Sequence, residues 1–260
     1  MEANNILFRA SSMGKIMTGV KKKWSVEDSL TCKRELVALM RQYKYGRRPK
    51  IANKYTKKGN IAEESSITLY TIVKGRFYRK NEERRENEYF SGECDLFDGE
   101  TFFDSNEIVD TKSSWSMATF PSFLDEETDD DYMYQGLVYM ALSKATKHIV
   151  AHCLVNTPAT LLMDEKYRLK KKHEIIDIET PEYIEDCKEL EKESIFDMGL
   201  FLKDYPWFEL HTPMEEWDYD IPEAKRVHEV EVFRDEAKIE GMIDRIKECR
   251  DWMNRNWHRI

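Results

Sequence analysis

Past a charged run at residues 81–88 the hydrophobic pattern of this chain changes period. Before it, apolar residues recur three and four apart, as they do on the buried face of a helix. After it, Tyr89–Phe97, Thr101–Phe103 and Glu107–Lys112 read as strands, with a turn at Asp98-Gly99. This is a meander of antiparallel strands, and set between helical stretches it must bury its apolar faces against them, so the expectation is an α/β chain of α+β character.

The flanking pattern fills in that frame. Phe8–Met17 reads as a short helix entered through serines, and Ser25-Val-Glu-Asp28 as a capping-box-like start to a helix running towards Tyr45, stopped by Gly46-Arg-Arg-Pro49. A third helix is predicted from Asn60 to about Arg76, with Ile61, Ile67, Leu69 and Tyr70 on its apolar face. Downstream, Tyr132–Ala145 reads as a helix, His148–Val155 as a strand and Ala159–Lys172 as a helix or hairpin. Thr180-Pro181-Glu182 starts a helix to about Lys203, since proline is favoured in a first helical turn. The ending is a strand at Arg226–Phe233 and a helix capped by Asp235, with Ile239, Met242, Ile243, Ile246 and Cys249 on one face. The 260 residues suit one domain: a basic helical part over about 1–80, a core over about 59–156 and a helical extension over about 157–260.

Charge is unevenly placed. The net charge is −9, yet residues 1–80 hold 19 Lys/Arg against 6 Asp/Glu. A basic end offers a polyanion an attractive surface while the acidic remainder limits indiscriminate binding, although a basic helix face is as often simply solvated. No run approaches the ~20 apolar residues that cross a bilayer, and no secretory signal stands at the N-terminus, so a soluble, cytoplasmic protein with no membrane partner is expected. Five scattered cysteines with no CxxC argue for reduced thiols rather than for disulfides or a zinc site.

The chemistry-bearing residues are Glu63, Asp95 and Asp110-Thr111-Lys112. In a strand, residues two apart share a face, so Asp110 and Lys112 point the same way. A lone DxK usually marks a solvated strand face. Here it follows Ile108-Val109, and Asp95 sits among Cys94, Leu96 and Phe97, where a charge is costly unless paired or metal-bound. Two carboxylates and a strand carbonyl are hard oxygen ligands of the kind that hold Mg²⁺ or Mn²⁺. A lysine beside them would orient or deprotonate a water and stabilise a charged transition state, a set suited to phosphodiester hydrolysis.

The chain resembles the YqaJ-type viral recombinase family and, more distantly, phage lambda exonuclease, both of the PD-(D/E)xK nuclease superfamily. The resemblance lies in Gly59-Asn-Ile-Ala-Glu63, Gly92-Glu-Cys-Asp95, Glu107-Ile-Val-Asp-Thr-Lys112 and Gln135-Gly-Leu-Val-Tyr139, which stand in family order, and in the strand–helix ending at Arg226–Met253. It implies a restriction-endonuclease-like core, with a central mixed sheet flanked by helices, and a metal-dependent double-strand DNA exonuclease of phage type. Such an enzyme resects ends in recombination, working with a single-strand annealing protein and in some relatives as a ring-shaped homo-oligomer. The same resemblance leaves open an endonuclease or repair nuclease, or a catalytically weak DNA-binding or interaction module.

Carried across, Asp95 and Asp110 are metal ligands with the Thr111 carbonyl, Lys112 is the catalytic lysine, and Glu63 contacts metal directly or through water. Gln135 and Tyr139, one helical turn apart, position the substrate strand. Ser11 and Ser12 fall where the family places a serine near a substrate phosphate, with Arg9 beside them. On the residues alone, Glu63 reads equally well as a capping carboxylate, Gln135 as a helix-surface amide and Tyr139 as core. The third motif carries aspartate where near relatives often have glutamate, and Glu107 offers a competing register that lacks a lysine two residues on.

Other features compete for attention. The acidic stretch 125–131 reads as a linker or as a screen that repels DNA from an unproductive path. His148 and His152 have the HxxxH spacing of a zinc pair, but in a strand four residues span roughly 13 Å, too far for one ion. Lys21, Lys22, Lys23, Arg47 and Arg48 are candidate phosphate contacts, and Trp252 and Trp257 read as core or as an oligomer contact.

Overall fold

The computed structural model describes residues 3–47, 53–125 and 129–260. In chain order the elements are β1 (Phe8–Arg9), α1 (Met13–Met17), α2 (Leu30–Tyr45), α3 (Lys54–Lys74), β2 (Arg79–Lys80), β3 (Arg85–Glu86), β4 (Phe90–Gly92), β5 (Leu96–Phe97) and β6 (Glu107–Ser113). There follow α4 (Asp130–Leu142), β7 (Lys147–Cys153), α5 (Ala159–Lys172), α6 (Pro181–Ser194), α7 (Met198–Asp204), β8 (Val227–Phe233) and α8 (Glu236–Asn256).

Five strands form the main sheet in the order β2-β5-β6-β7-β8, parallel between β6 and β7 and antiparallel elsewhere. A small sheet, β1-β4-β3, stands beside it. Both faces of β6 and β7 are covered, which suits a parallel pair. On one face Leu96, Val109, Ile149 and Ala151 pack against Ala62, Leu69 and Tyr70 of α3. On the other, Ile108 and Val232 join Leu137, Val138 and Tyr139 of α4, Met242 and Ile246 of α8, and residues of α1 and α2. A third cluster, with Leu162, Ile195, Met198, Phe201 and Phe208, holds α5–α7 together. The mixed α/β architecture and the closing strand–helix unit are those expected.

Several boundaries differ, each for a local reason. Phe8–Arg9 is extended and pairs with β4, so the predicted first helix begins only after a 3-10 turn at Ala10–Ser12. Ser25 and Asp28 close a turn of their own, and α2 starts at Leu30, capped by Ser29, whose side chain accepts from the Cys32 amide; Gly46 ends it at φ 65°. Pro49 and Arg48 lie outside the described residues.

Helix α3 starts six residues early, under a reciprocal Asn53–Thr56 capping box, because its first two turns are polar and carry no apolar stripe. Glu63 is therefore mid-helix, which removes its reading as a cap. The predicted strand Tyr89–Phe97 is two strands in two sheets, and Thr101–Phe103 contributes to a 3-10 turn at Phe102–Asp104 instead of a strand.

The single helix predicted from Thr180 is broken at Ile195–Asp197. There the Asn156 side chain accepts from the amides of Phe196 and Asp197 and donates to the Asp197 carbonyl, and Asp197 caps α7. Among the described residues no helix is long and apolar enough to cross a membrane. All five cysteines are buried thiols.

Candidate active site

Strand β6 carries the centre of the site. Its side chains alternate, so Asp110 and Lys112 share the face of Ile108, towards α4, while Thr111 shares that of Val109, towards α3. Asp110 is 3% exposed. Its Oδ2 accepts from Lys112 Nζ and, at 3.0 Å, from Gln135 Nε2. The Tyr139 hydroxyl accepts from the same amide at 2.7 Å, donates to the Glu93 carbonyl at 3.0 Å and stands 3.5 Å from Asp110 Oδ1. Gln135 and Tyr139 are thus neither surface amide nor plain core: their four-residue spacing on α4 puts both polar tips on one buried carboxylate.

Asp95 stands where the chain crosses from the small sheet to the main one, between buried Cys94 and Leu96. Its Oδ2 accepts from both the amide and the hydroxyl of Thr111, each at 2.7 Å. Burial, and then the neighbouring Asp110, push the Asp95 carboxyl up to about 7, with Thr111 and Lys112 opposing. Burial works against the Lys112 ammonium, but Asp110 and then Asp95 outweigh it and raise that group above its ordinary value. Two carboxylates kept together against their own repulsion make a donor set that fits a divalent cation.

These residues open into a cleft of about 600 Å³, also lined by Glu63, Arg9, Ser11, Tyr132, Arg84 and Ser91. Arg9, Ser11 and Glu63 are exposed on its walls. Ser12 is buried and does not line it. Among the described residues no three acidic, histidine or cysteine side chains converge closely enough to hold an ion, so Glu63 reaches the cleft but not the two aspartates. Glu107 points into a different neighbourhood, with Tyr78 at 2.6 Å and Lys147 at 2.7 Å, leaving Asp110 as the β6 carboxylate in the cleft.

Three site features escape a reading of the sequence. The ring of Tyr132 lies 5.0 Å from Lys112 Nζ. The Glu93 carbonyl receives the Tyr139 hydroxyl. His148 is fully buried beside Tyr139, and burial pushes it down to about 4. Only the last left a trace: Gly136, a glycine inside a helical pattern, marks the close approach of another group. A Cβ there would meet His148 Nδ1 at 2.2 Å. His148 and His152 do lie on a strand, β7. Trp252 is buried in the core and Trp257 packs against it.

No protein-family model and no curated protein matches the chain. Solved structures do. A phage-related exonuclease from Haemophilus somnus 129PT is 23% identical, covering 96% of this chain and 95% of that one with a TM-score of 0.66. The alkaline exonuclease LHK-Exo from Laribacter hongkongensis is 11% identical over 98% of this chain and 92% of its own, at 0.55. Its complex with dAMP superposes at 0.54, with 12% identity over 99% of this chain and 92% of its own. The chain therefore has the restriction-endonuclease-like fold of these exonucleases.

Proposed function

We propose that this chain is a Mg²⁺-dependent deoxyribonuclease that degrades duplex DNA from its ends. The observation that carries the reading is the Asp95–Asp110–Lys112 cluster at the floor of an open cleft, in a chain with the fold of exonucleases. Asp95 and Asp110 would hold the cation, Mn²⁺ serving as well as Mg²⁺. The Thr111 carbonyl would join them, since its residue turns its amide to Asp95 and not to β7. When bound, the cation neutralises charge on the scissile phosphate and on the attacking water.

The remaining work falls to the chain. Gln135 and Tyr139 fix the Asp110 carboxylate, and Thr111 fixes Asp95, so that neither ligand has to reorganise as charge develops. Lys112 orients the attacking water and offsets negative charge as the bond from phosphorus to the leaving oxygen breaks. Glu63 faces the same cleft from α3, placed to act through water, and Arg9 and Ser11 face it as phosphate contacts. The single strand left by resection would pass to an annealing partner in recombination of phage type.

Cleavage of linear against covalently closed circular duplex in Mg²⁺, by wild type and Lys112→Ala, tests the reading. Loss of linear DNA alone, abolished by the substitution and by chelation, is expected. Cutting of the circle would turn the assignment to an endonuclease, and cutting of neither by folded protein would turn it to a DNA-binding module.

A further inference from the structure

Lys112 is held by two partners of different kinds. Its ammonium is bonded to Asp110 Oδ2, and it also lies 5.0 Å from the centroid of the Tyr132 ring. Tyr132 sits in the first turn of α4, three residues before Gln135, and lines the cleft. Its ring is itself backed: His152, the β7 register partner of Lys112, packs against it edge-on at 6.0 Å and 69°. Burial, then His228 and Lys112, push His152 down to about 4, so an uncharged ring stands behind the tyrosine at neutral pH.

Under the function proposed above, on which this inference rests, the first partner is not available during turnover. A divalent cation at Asp110 competes with the Lys112 ammonium for the same carboxylate, and a doubly charged ion at ligand distance wins. The ammonium is largely sheltered from water and needs another stabilising contact once it is released. The face of an aromatic ring offers one that carries no formal charge and takes no place at the cation.

We propose that Tyr132 is a positioning residue for Lys112: its ring holds the ammonium in the cleft when the metal takes the Asp110 carboxylate. The ring face, not the hydroxyl, does this, so phenylalanine serves and an aliphatic side chain does not. The effect falls on kcat and leaves KM unchanged, because Lys112 is needed at the transition state and not for binding DNA.

Two readouts test it. In the full chain carrying ¹³C-labelled lysine, with the Lys112 signal assigned through Lys112→Arg, the ε-methylene resonance should be displaced upfield by the ring current in wild type and Tyr132→Phe. The displacement should persist in saturating Mg²⁺ and vanish in Tyr132→Leu. In cleavage assays Tyr132→Phe should stay within about twofold of wild type, while Tyr132→Leu loses about tenfold in kcat at unchanged KM.

An undisplaced Lys112 signal in wild type with Mg²⁺, equal losses in the Phe and Leu variants, or a Leu variant as fast as wild type would each overturn the proposal. A wild type that cleaves nothing while its Lys112 signal still follows the ring would overturn the nuclease reading and not the contact.

Discussion

Thr111 gives its amide and its hydroxyl to the same oxygen of Asp95, each at 2.7 Å. The amide bond comes with the strand, but the hydroxyl bond depends on the residue type, so Thr111→Val removes one constraint on a proposed metal ligand and little else. A hydrogen bond to a charged acceptor contributes about 1.5–3 kcal/mol. The expected result is a rise of about tenfold in the Mg²⁺ concentration giving half-maximal cleavage, with a smaller change in kcat at saturating Mg²⁺. Titration of the rate with Mg²⁺ checks it, and an unchanged half-saturation would mean that Asp95 is not held through that hydroxyl.

The same carboxylate links metal to pH. In the absence of metal, Asp95 is pushed up to about 7 from an ordinary 3.8, chiefly by burial and then by Asp110. Its native pKa lies above the unfolded one, so the folded state binds more protons through that window and its contribution to stability is lost as pH rises towards 7. A divalent cation reverses this by binding the ionised pair. Saturating Mg²⁺ should therefore raise the melting temperature more at pH 8 than at pH 6, and Asp95→Asn should erase the difference. An equal rise at both pH values would show that the ion does not compete with this proton.

The shared face of Asp110 and Lys112 is legible in the sequence because alternation in a strand needs only the residues themselves. The apolar stripe of α8 is legible for the same reason, since its period is local. Tyr132 and His148 are not. Their contacts with Lys112 and Gly136 exist only because α4 crosses β6 and β7, a packing that no local period encodes. The early start of α3 stayed hidden because its first two turns carry polar residues, among them Lys58, fully buried with its ammonium on the Trp115 carbonyl. Ser11 and Ser12 look alike in sequence, yet the 3-10 turn leaves one on the cleft wall and buries the other.

Gly136 tests that crossing directly. An added Cβ would stand 2.2 Å from His148 Nδ1 and 2.6 Å from its Cγ, atoms of a rigid ring with no room to yield. Overpacking of this kind costs about 1–3 kcal/mol or more, and in a chain of this size each kcal/mol moves the melting temperature by about 2–4 °C. Gly136→Ala should melt several degrees below wild type. Adding His148→Ala should recover part of the loss, because it removes the clashing ring; a double variant that melts lower still would place the strain elsewhere.

Away from the cleft, Glu191 is the carboxylate expected to set the acid limit of the fold. It is fully buried between α5 and α6, paired with Lys166 at 2.7 Å and accepting from the amides of His211 and Thr212. Burial opposes its ionisation, but the bonds from His211 and Lys166 prevail and hold the carboxyl at about 2, below its ordinary 4.5. The native pKa is depressed, so the unfolded chain takes up the proton first. The contribution is complete above pH 4.5 and is lost as pH falls towards 2, an effect on the order of 3 kcal/mol. Glu191→Gln should be less stable than wild type at pH 7 and should show a shallower loss of stability between pH 5 and pH 3, measured by urea unfolding at each pH. Parallel curves for the two proteins across that range would show that another carboxylate sets the limit.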